Sequence, residues 1–209
     1  PVLLPWRDEA AAVLLTYFPG QEFGGALCDI LFGDREPGGR LPTTWPADEA
    51  SIPVTDVTPI DGKVVYSEGI HIGYRAWLRS GAVPAYPFGF GLGYTSWSID
   101  AADGPETVGA GEEFTVRVRV TNTGTRSGKH VVQVYAARSD SAVERPARWL
   151  VGFAEVTAQA GETTEIGVPV HGRDLAHWDG RWRTEPGVFS LSVGASVADT
   201  PINLSVTVV

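Results

Sequence analysis

Residues Tyr86 to Thr95 read YPFGFGLGYT. Glycine stands at every second position, Gly89, Gly91 and Gly93, with Phe88, Phe90, Leu92 and Tyr94 between them. Bulky apolar groups thus alternate with residues that permit close backbone approach or positive φ. Pro87 cannot donate to a sheet ladder and biases Tyr86 toward extended backbone, so the stretch is expected to open as an edge strand or a turn. Before it the chain reads as mixed α/β, and after Trp97 as almost purely β. The stretch is therefore the expected seam between two domains, its aromatic residues packed against both. A phosphate loop is excluded, because a dinucleotide fingerprint opens a helix directly behind its glycines. Thr95, Ser96, Trp97, Ser98 and Ile99 instead have strand composition without helical periodicity.

Beyond the seam the pattern is clean. Phe114, Val116, Val118 and Val120 alternate with Thr115, Arg117, Arg119 and Thr121, the signature of an antiparallel strand with one face buried. Asn122-Thr123-Gly124 turns it. Six further strands are expected at 131–137, 149–157, 163–170, 181–184, 188–194 and 202–208, with Asp179-Gly180 and Pro186-Gly187 as turns. Seven short strands in about a hundred residues describe an immunoglobulin-like or fibronectin-like sandwich. The absence of a cysteine pair favours the fibronectin type. Phe114, Val116, Val118, Val120, Val134, Phe189, Leu191 and Val193 are the expected inward-facing set.

Ahead of the seam the signals are weaker. Asp8 to Leu15 reads as a helix, with Asp8 and Glu9 in its first turn where negative charge suits the helix dipole. Pro19-Gly20 breaks it. A second short helix is expected from Gly25 to near Gly33, and Arg40 to Pro46 is expected to be extended. Residues 47–63 are polar and aperiodic and read as a long loop. Val64-Val65-Tyr66 resembles a strand, while EGIHIGYRAWL at 68–78 is amphipathic without a clear period. The domain division is placed at 1–100 and 101–209, with α/β layers first and a β-sandwich second.

The chain has 209 residues, 43% hydrophobic and 20% charged, with a net charge of -9. That balance would repel a phosphate backbone, and the basic residues form no stripe, so nucleic-acid and anionic-membrane partners are excluded. No apolar run reaches the roughly 20 residues needed to span a bilayer. Compartment is not readable. Cys28 is the only cysteine and, within an apolar run, is expected to be a buried inert thiol. The four histidines show no metal-ligand spacing, no nucleophile elbow or phosphate loop occurs, and no cofactor is expected. The first residue is Pro1, which implies an upstream portion or a processed chain. Glu22 and Glu68 stand apart from the other carboxylates because each is embedded among glycines and aromatics, where a charge needs a partner. For Glu68 two readings stand, an ion pair with Arg75 or a place in a binding site.

PGQEFGG at 19–25, DILFGDREPGGRLPTTWP at 29–46, YSEGIHIGYR at 66–75 and YPFGFGLGYT at 86–95 together resemble the C-terminal part of the family 3 glycoside hydrolases. TNTGTRSGKHVVQVY, LVGF at 150–153 and WRTEPGVFSLSVGAS resemble the fibronectin type III-like domain that follows in that family. Phe23 departs from the commoner glycine, giving QEFG for QEGG. The resemblance implies the last part of an α/β sandwich domain followed by an all-β fibronectin type III-like sandwich, in an exo-acting β-glycosidase, β-glucosidase foremost. It also implies a retaining two-carboxylate mechanism, in which the carboxyl groups stand about 5 to 5.5 Å apart. The nucleophilic aspartate belongs to an N-terminal barrel and the acid/base glutamate to an earlier loop, so both would lie upstream of Pro1 and no catalytic residue is expected here. A β-glycoside or oligosaccharide would be the substrate of the complete enzyme, with the barrel as domain partner. Tyr66 and Glu68, in a glycine-flanked loop, are the candidate substrate-binding residues. The rival reading is a stand-alone carbohydrate-binding or structural interaction module.

Overall fold

The computed structural model describes residues 2–209. In its first half, helix α1 (Phe23–Phe32) and helix α2 (Tyr74–Ser80) are joined by irregular segments. Its second half carries ten strands: β1 (Trp97–Asp103), β2 (Thr107–Val108), β3 (Phe114–Asn122), β4 (Gly128–Ala137), β5 (Trp149–Ala158), β6 (Thr163–Val170), β7 (His177–Trp178), β8 (Trp182–Arg183), β9 (Gly187–Gly194) and β10 (Ile202–Val208). One sheet has the order β1-β3-β6 and the other β2-β10-β9-β4-β5, while β7 and β8 form a separate hairpin. All seven expected strands are present, at 181–184 only as the two-residue β8. The short strands β2 and β7 add to them, as does β1, which spans residue 100. Trp97 and Ile99 of β1 pack against the core from its edge.

The core lies between the two sheets. Phe114, Val116, Val118, Val120, Val134, Phe189, Leu191 and Val193 are all buried in it, joined by Val132, Val168, Val170 and Trp149. On β3 the polar partners of the alternation face outward, as a two-sided strand requires. Strand β4 departs from alternation, with Val132 through Ala136 buried without interruption. Val132, Val134 and Ala136 enter the sandwich core, whereas Gln133 and Tyr135 face the first half of the chain. A register shift between Val134 and Tyr135 against β5 marks the place, the usual effect of a bulge that re-aims a side chain.

The seam packs onto that second face of β4. Gln133 donates through Nε2 to the carbonyls of Gly89 (3.0 Å) and Ala195 (2.6 Å), and its Oε1 accepts from the Tyr135 hydroxyl at 2.6 Å. Burial holds the Tyr135 phenol well above its ordinary pKa, so it remains a donor. Gly89 has φ of 81°, and a Cβ there would sit 2.1 Å from Gln133 Oε1. A Cβ at Gly93 would meet Glu36 Oε1 at 2.1 Å. The alternate glycines are therefore the price of bringing the backbone against polar side chains with no gap. Tyr86 opens the seam as an isolated bridge to Trp45, and Leu41 N–H donates to the Phe90 carbonyl at 2.8 Å. The extended reading of 40–46 therefore holds around Trp45, whereas Pro42 and Thr43 form a bend.

Several sequence expectations fail in the first half. The helix at 8–15 is reduced to one 3-10 turn, Arg7–Glu9, and Ala10 to Leu15 follow without regular structure. Its apolar residues have no packed face to drive helix formation: Val13, Leu14 and Leu15 are exposed, and isolated short helices are marginal. Val64 to Tyr66 forms no strand, because no neighbouring strand is there to pair with it. Cys28 is exposed rather than buried, since the face of α1 that carries it meets nothing. Glu22 is exposed as well. The loop at 47–63 contains a capped 3-10 turn, Glu49–Ser51. It also contains a tight turn in which Asp61 (φ 50°) and Gly62 (φ 76°) take the left-handed pair of a type I′ hairpin.

Two measurements test the sandwich core. Val118 is fully buried, so Val118→Ala is expected to lower unfolding free energy by about 1 to 3 kcal/mol, read from urea denaturation; an unchanged midpoint would contradict the register. His130 stacks on Trp97 with ring centroids 5.5 Å apart, and burial, with the Arg40 charge adding, lowers its pKa from 6.5 to about 4. Between those values the unfolded chain binds a proton that the folded chain refuses. The stability is thus complete above about pH 6.5 and falls as pH drops toward 4, by about 3 kcal/mol at most. Denaturation midpoints between pH 7 and 4.5 should show that slope, and His130→Phe should flatten it.

Candidate functional site

The loop from Ile60 to Gly73 is built from four short-range turns. Ile60 and Lys63 exchange backbone hydrogen bonds of 2.9 and 3.0 Å across Asp61-Gly62. Ser67 N–H donates to Val65, Gly69 N–H to Tyr66 and His71 N–H to Glu68. Gly69 (φ 58°) and Gly73 (φ 54°) supply positive-φ backbone that residues with a Cβ rarely adopt. The result is a projecting tip that ends against the first turn of α2.

Tyr66 lies on that tip with 76% of its surface exposed. Glu68 is half-buried. The two occupy the same loop, as expected, but the ion pair between Glu68 and Arg75 does not form among the described residues; the Arg75 guanidinium lies over the Tyr74 ring at 5.9 Å. The helix begins at Tyr74 and directs Arg75 across its neighbour instead of back to the loop. With its partner gone, the Glu68 carboxylate remains available to a ligand as a hydrogen-bond acceptor. Val64, Val65, Ile70 and Ile72 of the same loop are exposed apolar neighbours, so the tip combines one carboxylate, one phenol and apolar surface.

The anchor of this loop was not visible in the sequence. His71 is buried, and its Nε2 lies 2.9 Å from Glu144 Oε1 on the loop between β4 and β5. Tyr74 accepts a hydrogen bond from Leu150 N–H at 3.0 Å, stacks on Phe88 at 4.4 Å and meets Tyr135 edge-on at 6.5 Å. The partners His71–Glu144 and Tyr74–Leu150 are separated by more than sixty residues in the chain, and no local pattern encodes them. Among the described residues no group of three or more His, Cys, Asp or Glu side chains gathers as a metal site, and no helix is long and apolar enough to cross a membrane.

Comparison with known proteins agrees with this architecture in both halves. Residues 1–94 match the glycosyl hydrolase family 3 C-terminal domain, and residues 130–197 match the fibronectin type III-like domain. The chain belongs to glycoside hydrolase family 3. A β-glucosidase of Rhizobium radiobacter is 43% identical over 218 residues, covering 99% of this chain and 26% of its own length. Among solved structures, DesR, a β-glucosidase from Streptomyces venezuelae in complex with D-glucose, superposes with a TM-score of 0.91 at 36% identity, over 100% of this chain and 27% of that one. β-Glucosidase 3B from Thermotoga neapolitana, in complex with α-D-glucose, superposes at 0.85 and 36% identity, over 97% of this chain and 29% of that one. The chain thus spans about a quarter of the length of the curated relatives it matches.

Proposed function

We propose that this chain is the C-terminal portion of an exo-acting β-glucosidase that releases terminal, non-reducing β-linked glucose by a retaining mechanism, with both catalytic carboxylates outside it. The relatives that align along its whole length are named β-glucosidases. The single structural observation that carries the reading is the distribution of apolar surface. Among the described residues twenty-seven large hydrophobic side chains are exposed, and twenty-two of them lie in residues 2–94, Phe18 and Phe32 included. A self-sufficient module would bury such a face. The open groove between residues 14–23 and α1, about 600 Å³ and lined by Leu14, Leu15, Phe23, Leu27 and Ile30, has the form of a core lacking its second layer. The remaining layers of the α/β domain and the barrel are the partners proposed to cover this surface. A stand-alone binding or scaffold module is disfavoured for the same reason.

In this reading Tyr66 and Glu68 form part of the wall of the sugar site. A phenol and a carboxylate on an exposed turn supply the hydrogen bonds and flat apolar edge that pyranose recognition uses, and neither performs the bond-breaking step. The purified chain alone is expected to be inactive; hydrolysis of an aryl β-glucoside above a denatured control would refute the assignment. In the complete enzyme, Glu68→Gln should lower kcat/KM by about 1 to 2 kcal/mol of transition-state stabilisation. Because Glu68 holds no ion pair, thermal stability should be nearly unchanged. A large loss of stability without a kinetic effect would retire Glu68 from the site.

A further inference from the structure

We propose that the fibronectin type III-like domain positions the Ile60–Gly73 loop through His71 and Glu144, so that this domain acts on the candidate sugar site through one side-chain contact. The inference rests on the reading of Tyr66 and Glu68 as site residues only for its kinetic consequence.

Among the described residues, the His71–Glu144 contact at 2.9 Å is the one side-chain hydrogen bond that joins residues 60–73 to any other part of the chain. The backbone hydrogen bonds of residues 60–72 are local turns, together with those that start α2. An ionised carboxylate only accepts, so His71 Nε2 carries the donated proton. His71 is 8% exposed, which shields the bond on one side and fixes the ring.

Glu144 in turn stands on a rigid base. Glu185 accepts from Ser141 Oγ at 2.6 Å, from Ala142 N–H at 2.9 Å and from Arg145 Nη2 at 2.8 Å. Arg145 Nη1 donates to the Leu175 carbonyl at 3.0 Å, and its guanidinium lies over Trp149 at 5.3 Å and Phe189 at 5.6 Å. Both rings belong to the sandwich core. A continuous set of contacts therefore runs from that core through Arg145 and Glu185 to the turn bearing Glu144, and across to His71. Tyr74, held by Leu150 N–H, fixes the start of α2 just beyond. Glu144 and His71 are positioning residues: neither is placed on the exposed tip with Tyr66.

Amide hydrogen exchange on this chain tests the contact without reference to activity. Glu144→Ala and His71→Ala should each speed exchange in residues 64–72 by about tenfold while β3 and β4 keep their protection, and the double variant should add nothing further. Unchanged loop exchange in Glu144→Ala, whose side chain is 67% exposed and whose removal spares the fold, overturns the proposal. In the complete enzyme, Glu144→Ala should lower kcat/KM about five- to twentyfold, and Glu144→Gln, which keeps an acceptor oxygen, should restore most of it. Faster loop exchange with unaltered kinetics would keep the contact and remove Tyr66 and Glu68 from the sugar site. A kinetic loss in Glu68→Gln with loop exchange indifferent to Glu144 would do the opposite.

Discussion

The carboxylate of Glu36 holds the two halves of the chain together. It accepts from the backbone N–H of Tyr94 at 2.7 Å and from that of Lys129 at 2.5 Å, which belong to the seam and to the first residues of β4. Charge-assisted bonds of this kind are stronger than neutral ones, and both donors are backbone groups that cannot move aside. Around this point the end of α1 is fixed as well. Gly33 closes the helix in the left-handed region, the Tyr94 hydroxyl donates to the Ile30 carbonyl at 2.6 Å, and Arg126 donates to the Gly33 carbonyl at 2.8 Å. Two of the carbonyls at the end of α1, those of Ile30 and of its cap Gly33, are thus engaged by the seam and by the sandwich.

A strand buried on both faces is what makes this joint possible. Strand β4 gives Val132, Val134 and Ala136 to the core and Gln133 and Tyr135 to the other side, where the polar pair is hydrogen-bonded. A buried amide with its donor and acceptor both engaged restricts how the seam can lie, because any other placement would strand one of them. The first half of the chain, though poor in regular structure, therefore has one defined seat.

What can be read from the amino acids divides along the same line. The sandwich is legible because strands such as β3 declare their inner face by period two, with the expected alternation from Phe114 to Val120. The seam is legible because alternating glycines have few other uses. Residues 8–15 mislead because AAVLL suits either a helix or a buried strand, and only packing partners decide between them. The placement of Tyr66 and Glu68 on one loop agrees with their glycine-flanked motif. Their anchor has no such signal, since His71 and Glu144 lie seventy-three positions apart. The expected Arg75 partner fails because close sequence spacing says little about direction once a helix starts between the two residues.

The joint at Glu36 has a consequence for the order in which the molecule folds. It links residue 36 to residue 129, and closing a flexible loop of that length costs on the order of 4 kcal/mol in chain entropy. Two pairings of the larger sheet, β4 with β5 and β9 with β10, join strands adjacent in the chain and can form before that closure. Strand β4 must already be in place to offer Gln133 and the Lys129 N–H. The portion synthesised first is therefore expected to become ordered last, waiting on a template made later. Pulse-labelled exchange during refolding would record this as protection of Val116 and Val134 ahead of Tyr94, and the reverse order would show that the joint forms independently of the sandwich.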